Sequence, residues 1–249
     1  MAQKRKVRIL DISICGPLHK SKGLPCQDYA GYKTKGRKVV MAVSDGAGSA
    51  KYGKIGAEII VDTICDLLIN SNIKKIKQDI EKAIFIAREK ILLHRLNKTK
   101  SERGAVDFSA TLVGAFYDGR NGIFFHIGDG AALVFGDETY QNYIISEPEN
   151  GAFSYETYFY TMSDWKNNLR FTEFSNAESV VLMSDGVTGF VFDDDYRLIR
   201  QNFLIPIVQY LEKEPRKTYA LSALKNTLDS QQARRINLDD KTILWAKLK

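Results

Sequence analysis

The stretch 41-MAVSDGAGSA-50 joins an apolar run to an acidic turn. Residues 39–43 are β-forming and apolar, and the run stops just before Asp45, which the glycine-rich segment Gly46–Gly48 follows. One interpretation is an ordinary turn, because Asp and Gly are common turn residues. A second interpretation is a metal site, because a carboxylate beside bare backbone at a strand end can hold a hard cation. This stretch by itself leaves both interpretations open.

The same pattern recurs further along the chain. The stretch 179-SVVLMSDG-186 again runs from an apolar strand into Ser-Asp-Gly, and it places Asp185 where the first copy has Asp45. A third apolar run, IFFHI, is followed by Gly and Asp129. In LDDKTILWAKL, Asp239 and Asp240 directly precede a strand-like run. Acidic residues therefore recur at the predicted strand ends.

Length and composition favour one layered domain over residues 1–249. The chain has 249 residues, of which 44% are hydrophobic, which is enough for one sizeable core. It contains no run of about 18 apolar residues, and its basic N-terminus lacks the features of a signal peptide. Cys15, Cys26 and Cys65 form no CxxC pair, which argues against a disulfide framework or a thiolate zinc site. We expect a cytoplasmic protein without a membrane segment.

The net charge of +6 and pI near 9.0 allow an acidic partner. The lysines are scattered, however, and the densest cluster, KKIKQDIEK, is interleaved with acids on a predicted helix. That helix also lacks the interleaved aromatic residues that stack on bases. The composition therefore favours a solvated basic surface over a nucleic-acid interface.

Apolar spacing predicts a mixed order of strands and helices, typical of an α+β protein. Residues 147–178 have many aromatic side chains but no clear period, and the stretch 150–165 is interpreted equally well as a flap beside a cleft or as an extra hairpin packed on the core. The predicted strands are 7–15, 28–43, 110–117, 122–127, 131–135, 141–146, 179–184 and 241–247, and the predicted helices are 52–70, 73–96, 197–211 and 217–229.

If Asp45, Asp185 and Asp239 meet at one end of the strands, they match the needs of Mg²⁺ or Mn²⁺, which take oxygen ligands and keep several waters. Two such ions about 3.5–4 Å apart, bridged by a carboxylate and a water, produce a nucleophile for phosphoryl chemistry. The carbonyl of Gly46 would be a further ligand with no side chain in the way.

The ordered set of motifs resembles the metal-dependent protein serine/threonine phosphatases of the type 2C class. VSDGAGSAKYGKIGAE is similar to the Asp-Gly-x-Gly-Gly motif of that family, and LPCQDYAGY to its early Asn/Glu-Asp motif. DFSATLVGAF, HIGDGAALVF, LMSDGVTGF and LDDKTILW resemble four later motifs, in the family's order. The early motif H…GLPCQD, from His19 to Asp28, is most similar to a compact bacterial branch.

The resemblance implies a four-layer αββα sandwich, with two central antiparallel sheets flanked by helix pairs and a metal site at one edge. It implies two Mg²⁺ or Mn²⁺ ions and, in bacterial relatives, a third. Carried onto this sequence, it implies that Asp28 acts through metal-bound water and that Asp45 bridges the metals. The remaining implied ligands are Gly46, Asp185 and Asp239, with Asp107, Asp185 or Asp129 at the third ion.

Several positions depart from the family pattern. Ala47 stands where many eukaryotic relatives have the His proposed as general acid, so metal-bound water, His19 or His126 would have to supply that proton. Gly23 falls where the family has a phosphate-binding Arg, and Lys20, Lys22 or His19 are the candidates to replace it. The other departures are Asp240 in place of Asn and Ala131 near the Arg of the Gly-Asp-Ser-Arg motif.

The expected function is hydrolysis of phosphoserine and phosphothreonine in proteins by attack of a metal-bridging water, in bacterial signalling. The expected partners are a phosphorylated protein and a cognate serine/threonine kinase, with the phosphatase itself a monomer and with no nucleic acid or membrane. One alternative is a phosphatase-like scaffold that binds phosphoprotein or a kinase without turnover, favoured by Ala47 and the absent Arg. A metal-dependent phosphodiesterase acting on nucleotides is the other.

Overall fold

The computed structural model describes residues 7–100, 103–149 and 157–249, in which ten strands form two antiparallel sheets. The first sheet has the order β1-β10-β9-β6-β7, and the second has the order β2-β3-β4-β5-β8. The strands are β1 (Arg8–Ile14), β2 (Tyr29–Lys35), β3 (Lys38–Ser44), β4 (Leu112–Tyr117), β5 (Asn121–Ile127), β6 (Ala131–Phe135), β7 (Tyr143–Ser146), β8 (Arg170–Ser175), β9 (Ser179–Met183) and β10 (Lys241–Lys247).

Helices cover the outer face of each sheet. Helices α2 and α3 share an apolar core with the second sheet, and α4, α5 and α6 share one with the first. Within the described ranges, no helix is both long and apolar enough to cross a membrane. The helices are α1 (Pro17–Ser21), α2 (Gly53–Leu68), α3 (Ile76–His94), α4 (Asp185–Val191), α5 (Gln201–Lys213), α6 (Lys217–Leu228) and α7 (Gln231–Ile236).

Strand β3 shows why the central strands appear in the sequence as continuous apolar runs. Val40 and Ala42 pack toward α2 and α3, whereas Val39, Met41 and Val43 pack against the other sheet. Successive side chains of a strand point to opposite faces, and both faces of this strand are covered. A third core cluster fills the space between the two sheets. The predicted four-layer αββα arrangement is confirmed.

Three local predictions differ from the structure. The run 28–43 is two strands of a hairpin, which turns at Gly36 with φ of +63°. Strand β8 was not predicted, because it lies at a sheet edge and alternates poorly, with most of its side chains half-buried or exposed. The Asp-Gly turn at Asp185 is the first turn of α4.

The aromatic segment before β8 belongs in part to the core. Tyr160 and Trp165 are buried against α2 and α3, and the Tyr160 hydroxyl donates a hydrogen bond to the Gly56 carbonyl at 2.7 Å. Of the described residues, 160–168 form turns that pack on the second sheet and its helices. The remainder of the predicted flap, residues 150–156, lies outside the described residues.

Candidate metal centre

Five aspartates lie where strands of both sheets reach the same end of the sandwich. Asp28 precedes β2, Asp45 follows β3, and Asp129 lies in the turn between β5 and β6. Asp185 begins α4 just after β9, and Asp239 lies two residues before β10. Because neighbouring strands are antiparallel, the start of one and the end of the next share an edge. The topology thus brings together residues distant in sequence.

The backbone at Asp45 is fixed to the start of β4. The Asp45 amide donates to the Thr111 hydroxyl at 3.0 Å, and the Thr111 amide donates to the Asp45 carbonyl at 2.9 Å. The next residue, Gly46, forms an isolated bridge with Ala110. These contacts prolong the sheet pairing past the last residue of β3 and hold the carboxylate of Asp45 at the sheet edge.

Gly46 lies against the first turn of α2. A Cβ atom at this position would lie 2.4 Å from the Gly53 carbonyl carbon, so the helix excludes any side chain. The side-chain NH₂ group of Gln27 donates to the backbone carbonyls of Gly46 at 2.9 Å and Ala47 at 3.2 Å, in the amide orientation that these acceptors require. A carbonyl oxygen can accept a second interaction, so Gly46 keeps a lone pair for a cation.

Burial and mutual repulsion raise the pKa values of aspartates in the cluster. Burial, followed by the charges of Asp28 and Asp185, raises the pKa of Asp45 well above its ordinary value. Burial, followed by the charges of Asp129 and Asp239, does the same to the pKa of Asp185. Each shift shows that ionised carboxylates oppose one another here. A bound cation would relieve that repulsion.

Asp28 is the most buried of the five, with 3% of its surface exposed. Burial raises the pKa of Asp28 to about 6, and hydrogen bonds from Ser184 and Thr242 act in the opposite direction. The Ser184 hydroxyl donates to Asp28 Oδ2 at 2.7 Å. This environment favours a carboxylate that can both hold and release a proton near neutral pH.

The donor atoms of the cluster fit a hard divalent cation. Oδ1 of Asp28, Asp129 and Asp185 is buried and has no hydrogen-bond partner among the described residues. Buried carboxylate oxygens are rarely left without a partner, so each such atom needs an explanation. Mg²⁺ and Mn²⁺ take oxygen ligands of this kind. The unpartnered oxygens and the raised pKa values both indicate a cation site.

Asp240 has a different environment from Asp239 beside it. Its carboxylate accepts hydrogen bonds from the backbone amides of Gly16 and Gln27 and from the His19 ring. His19, one of the predicted catalytic and phosphate-contacting residues, is therefore buried and oriented by Asp240, with 4% of its surface exposed. An added Cβ at Gly48 would lie 3.8 Å from His19 Nε2, so the ring faces the turn that follows Asp45.

The three candidates for a third ion, Asp107, Asp129 and Asp185, have different surroundings, and Asp185 already lies in the cluster. Asp129 joins the cluster, and Thr157 donates to its Oδ2 at 2.5 Å. Asp107 lies in a 3₁₀ turn, Gly104–Phe108, where its carboxylate faces Arg103 at 3.6 Å. The assignment of any of these residues to a third ion stays a prediction.

The predicted basic residues near the cluster differ in where their side chains point. Lys20 pairs with Asp229 at 3.3 Å, which directs its ammonium group to the end of α6. Lys22 is exposed just after α1. His126 is fully buried between the sheets, with Nδ1 3.2 Å from the Ser146 hydroxyl. His126 therefore cannot reach a substrate, whereas a phosphate contact by Lys20 or Lys22 stays a prediction.

Sequence reasoning missed several residues that support the carboxylates. The sequence pattern places Gln27 in a motif and Asp240 at a strand end, but it predicts no hydrogen-bonding role for either residue. The hydroxyl groups of Thr111 and Ser184 gave a weak signal, because each lies immediately beside an apolar strand. The missed supporting residues are Gln27, Thr111, Thr157, Ser184 and Asp240.

The family model for Protein phosphatase 2C matches residues 15–229. The chain belongs to the protein phosphatase 2C family. That match contains or adjoins every carboxylate of the cluster except Asp239, which lies ten residues beyond it. The predicted family is therefore confirmed.

Solved structures of protein phosphatase 2C type share the fold at low sequence identity. The serine/threonine phosphatase Stp1 from Staphylococcus aureus has a TM-score of 0.66 and 13% identity, covering 100% of this chain and 98% of that one. The S. agalactiae serine/threonine phosphatase has a TM-score of 0.66 and 16% identity, covering 98% and 100%. PppA, a key regulatory component of T6SS in Pseudomonas aeruginosa, has a TM-score of 0.64 and 16% identity, covering 97% of each chain. No curated protein sequence matches this chain significantly.

Proposed function

We propose that this protein is a Mg²⁺- or Mn²⁺-dependent phosphatase that hydrolyses phosphoserine and phosphothreonine in proteins. The observation that carries the proposal is the set of aspartates at one end of the sandwich, three of which have a buried Oδ1 with no hydrogen-bond partner among the described residues. Membership of the protein phosphatase 2C family supports the same reaction class.

The proposed ligands for two ions are Asp45, the Gly46 carbonyl, Asp185 and Asp239, with Asp129 or Asp107 at a third. Such ions, when bound, supply a nucleophile from water at neutral pH and neutralise charge on the phosphoryl group. Asp45 extends from the second sheet, whereas Asp185 and Asp239 extend from the first. The two sheets would thus contribute opposite halves of the centre.

Asp28 is proposed to orient the attacking water. Ser184 occupies Oδ2 of its carboxylate, which leaves Oδ1 as the free acceptor. A water that donates to Oδ1 would have its lone pair turned toward the phosphorus. The pKa of about 6 keeps Asp28 largely ionised at neutral pH, as an acceptor must be.

His19 is proposed to contact the phosphoryl or leaving-group oxygen. Ala47 places only a methyl group where many eukaryotic relatives have a histidine, and His19 Nε2 faces the same turn. Because Asp240 holds Nδ1 at 2.9 Å, the ring orientation is fixed before substrate arrives. Lys22, which is exposed beside α1, is the proposed point charge for the phosphate, with Lys20 as the second candidate.

The proposed cellular setting follows from family membership and from the structural neighbours. Family membership implies phosphorylated proteins as substrates, and a cognate serine/threonine kinase would supply them. We further propose a single phosphatase domain that acts as a cytoplasmic monomer in bacterial signalling. Two of the structural neighbours are named as serine/threonine phosphatases of bacteria, and a third as a regulatory component.

The deciding experiment measures phosphate release from a phosphothreonine peptide with Mn²⁺, with Mg²⁺ and with a chelator. Native protein is expected to release phosphate with either metal, and Asp239→Asn is expected to abolish release. Asp118→Asn, in the β4–β5 turn, is the matched control and should behave as native. No release from folded, Mn²⁺-loaded native protein would overturn the proposal.

A phosphatase-like scaffold is the second candidate, and the observations that favour it are Ala47 and Gly23 at the usual His and Arg positions. A scaffold is expected to bind the phosphopeptide without releasing phosphate. Binding measured by fluorescence anisotropy in the same samples therefore separates the two functions. Hydrolysis of a dinucleotide but not of the phosphopeptide would instead indicate a phosphodiesterase.

A further inference from the structure

Asp240 is a buried carboxylate whose two oxygens accept three hydrogen bonds. Gly16 donates its amide to Oδ1 at 2.6 Å. Gln27 donates its amide to Oδ2 at 2.6 Å, and His19 Nδ1 lies 2.9 Å from the same atom. Only 1% of the surface of Asp240 is exposed. All three bonds are short and shielded from water, and their acceptor is a charged group.

These bonds fasten the segment 16–28 to the turn before β10. Leu18 adds a fourth link, because its amide donates to the Leu238 carbonyl at 3.1 Å. The packing is close, since a Cβ at Gly16 would lie 2.3 Å from the Asp239 carbonyl carbon. The segment 16–28 therefore has one position relative to Asp239, the proposed metal ligand beside Asp240.

The same segment continues to the opposite half of the centre. Gln27 donates its amide to Asp240, and its carbonyl accepts the Gly46 amide at 3.3 Å. One residue thus links the first sheet, which carries Asp239 before β10, to the second, which carries Gly46 after β3. The spacing between the two halves depends on this chain of hydrogen bonds.

The cluster of His19, Asp239 and Asp240 is not itself a metal site. Ligand atoms of the three lie within 4.8 Å of one another. Both oxygens of Asp240, however, already accept donors, and His19 Nδ1 faces one of them. A cation there would have to displace those donors. Asp239 alone of the three contributes a carboxylate to the cluster around Asp185.

We infer that Asp240 is a positioning residue, which fixes the distance between Asp239 and Gly46 through Gln27 and orients His19. The expected effect of Asp240 on turnover rests on the proposed function, whereas its effect on metal affinity can be measured without turnover. Residues that orient metal ligands typically alter metal affinity by about 10–100-fold when they are changed. An asparagine here cannot replace Asp240, because its NH₂ group would face a backbone N–H or the His19 ring.

The experiment measures Mn²⁺ affinity by isothermal titration calorimetry, with kcat and KM for the phosphopeptide in parallel. Asp240→Asn is expected to weaken Mn²⁺ binding by about 10–100-fold and to lower kcat more than it raises KM. Asp118→Asn is the control, because Asp118 also accepts two backbone amides, from Arg120 at 2.9 Å and Asn121 at 2.8 Å, at the other end of the sandwich. It should leave Mn²⁺ affinity unchanged.

His19→Asn removes the ring and leaves both backbone bonds to Asp240, so it tests the inference if Asp240→Asn does not fold. Its expected result is a lower kcat with Mn²⁺ affinity reduced by less than about tenfold. Native Mn²⁺ affinity and native kcat in a folded variant of either kind would overturn the inference. If the native protein binds Mn²⁺ but does not hydrolyse the phosphopeptide, only the proposed function is overturned. The Mn²⁺ affinities of the variants would still test the role of Asp240.

Discussion

The Ser184 hydroxyl donates a hydrogen bond to Asp28 Oδ2 at 2.7 Å and accepts one from the Thr242 amide at 3.0 Å. Ser184 directly follows β9 and Thr242 lies in β10, two strands of the first sheet, whereas Asp28 leads into β2 of the second. A single hydroxyl group therefore ties the two sheets together at the candidate metal centre and sets the rotamer of the most buried aspartate.

Replacing Ser184 by alanine is expected to lower activity and to move the acidic limb of the pH–rate profile upward. The hydrogen bond from Ser184 lowers the pKa of Asp28, so its loss lets burial raise that pKa above about 6. The Thr242 amide and Asp28 each also lose a buried partner, at a cost of about 1–3 kcal/mol in the free energy of unfolding. Urea denaturation and kcat against pH measure the two effects.

Ser179→Ala is the matched control for that prediction. Ser179 begins β9, the strand that Ser184 follows, and is fully buried, but its hydroxyl has no hydrogen-bond partner in the described part of the chain. Its removal should leave the pH profile unchanged and the free energy of unfolding equal or higher. An identical shift of the profile in both variants would contradict the role assigned to Ser184.

Asp45→Asn is expected to abolish phosphate release while making the metal-free protein more stable. Burial, followed by repulsion from Asp28 and Asp185, raises the pKa of Asp45, so its ionised form opposes folding at neutral pH when no cation is bound. Asparagine removes that repulsion and also removes a ligand. Thermal melting with chelator and with Mn²⁺ checks both parts. A variant that keeps native turnover would contradict the ligand assignment.

The stability of metal-free native protein is expected to fall as pH rises from 3.8 through about 6, the ordinary and the folded pKa of Asp28. A carboxyl group with a raised pKa binds more protons folded than unfolded in this window, so the free energy of unfolding decreases with pH. Asp45 and Asp185, whose pKa values are also raised by burial and then by neighbouring carboxylates, contribute to the decline with the same sign. Saturating Mn²⁺ should reverse the slope, since a cation favours the ionised carboxylates.

Melting temperatures across that window, with chelator and with Mn²⁺, test the expectation. Asp45→Asn is the comparison, because it should flatten the slope of the metal-free protein. A metal-free native protein whose stability rises through the same window would show that these carboxyl groups ionise without mutual repulsion.

The sequence pattern predicts the carboxylates of the candidate site better than it predicts the residues that form hydrogen bonds around them. Asp45, Asp185 and Asp239 could be predicted because each directly follows or closely precedes an apolar run, and the topology of two antiparallel sheets brings those ends together. The positioning role of Asp240 could not be predicted, because it depends on Gly16 and Gln27, more than 200 residues away in sequence. Hydrogen bonds between distant segments leave no periodic signal.

Strand β8 and helix α4 were missed for a related reason. An edge strand with half-buried side chains shows little alternation, and its pairing with β5 is decided by tertiary contact. Helix α4 has seven residues, too few for a helical period to be distinguished from an Asp-Gly turn. The long helices and central strands, in contrast, have strong periods and were predicted within a few residues.

Gly46→Ala is expected to destabilise the fold and impair the centre together. Its Cβ would lie 2.4 Å from the Gly53 carbonyl carbon, which is backbone and cannot rotate away, so α2 or the metal-binding turn must shift. Overpacking of this kind costs about 1–3 kcal/mol in the free energy of unfolding. Gly189→Ala is the control, since α4 leaves open space there and alanine favours a helix by about 1 kcal/mol. Chemical denaturation of both variants should give changes of opposite sign.

Asp129→Asn is expected to reduce the response to Mn²⁺ more than Asp107→Asn does. Burial, followed by the charge of Asp129, raises the pKa of Asp185, so Asp129 belongs to the same electrostatic cluster as that proposed ligand. Asp107 instead faces Arg103 at 3.6 Å. Replacement of a ligand at a weaker third ion should raise the Mn²⁺ concentration for half-maximal activity about tenfold or more. Titrations of phosphate release against Mn²⁺ measure that concentration, and a larger effect at Asp107 would assign the third ion to the 3₁₀ turn.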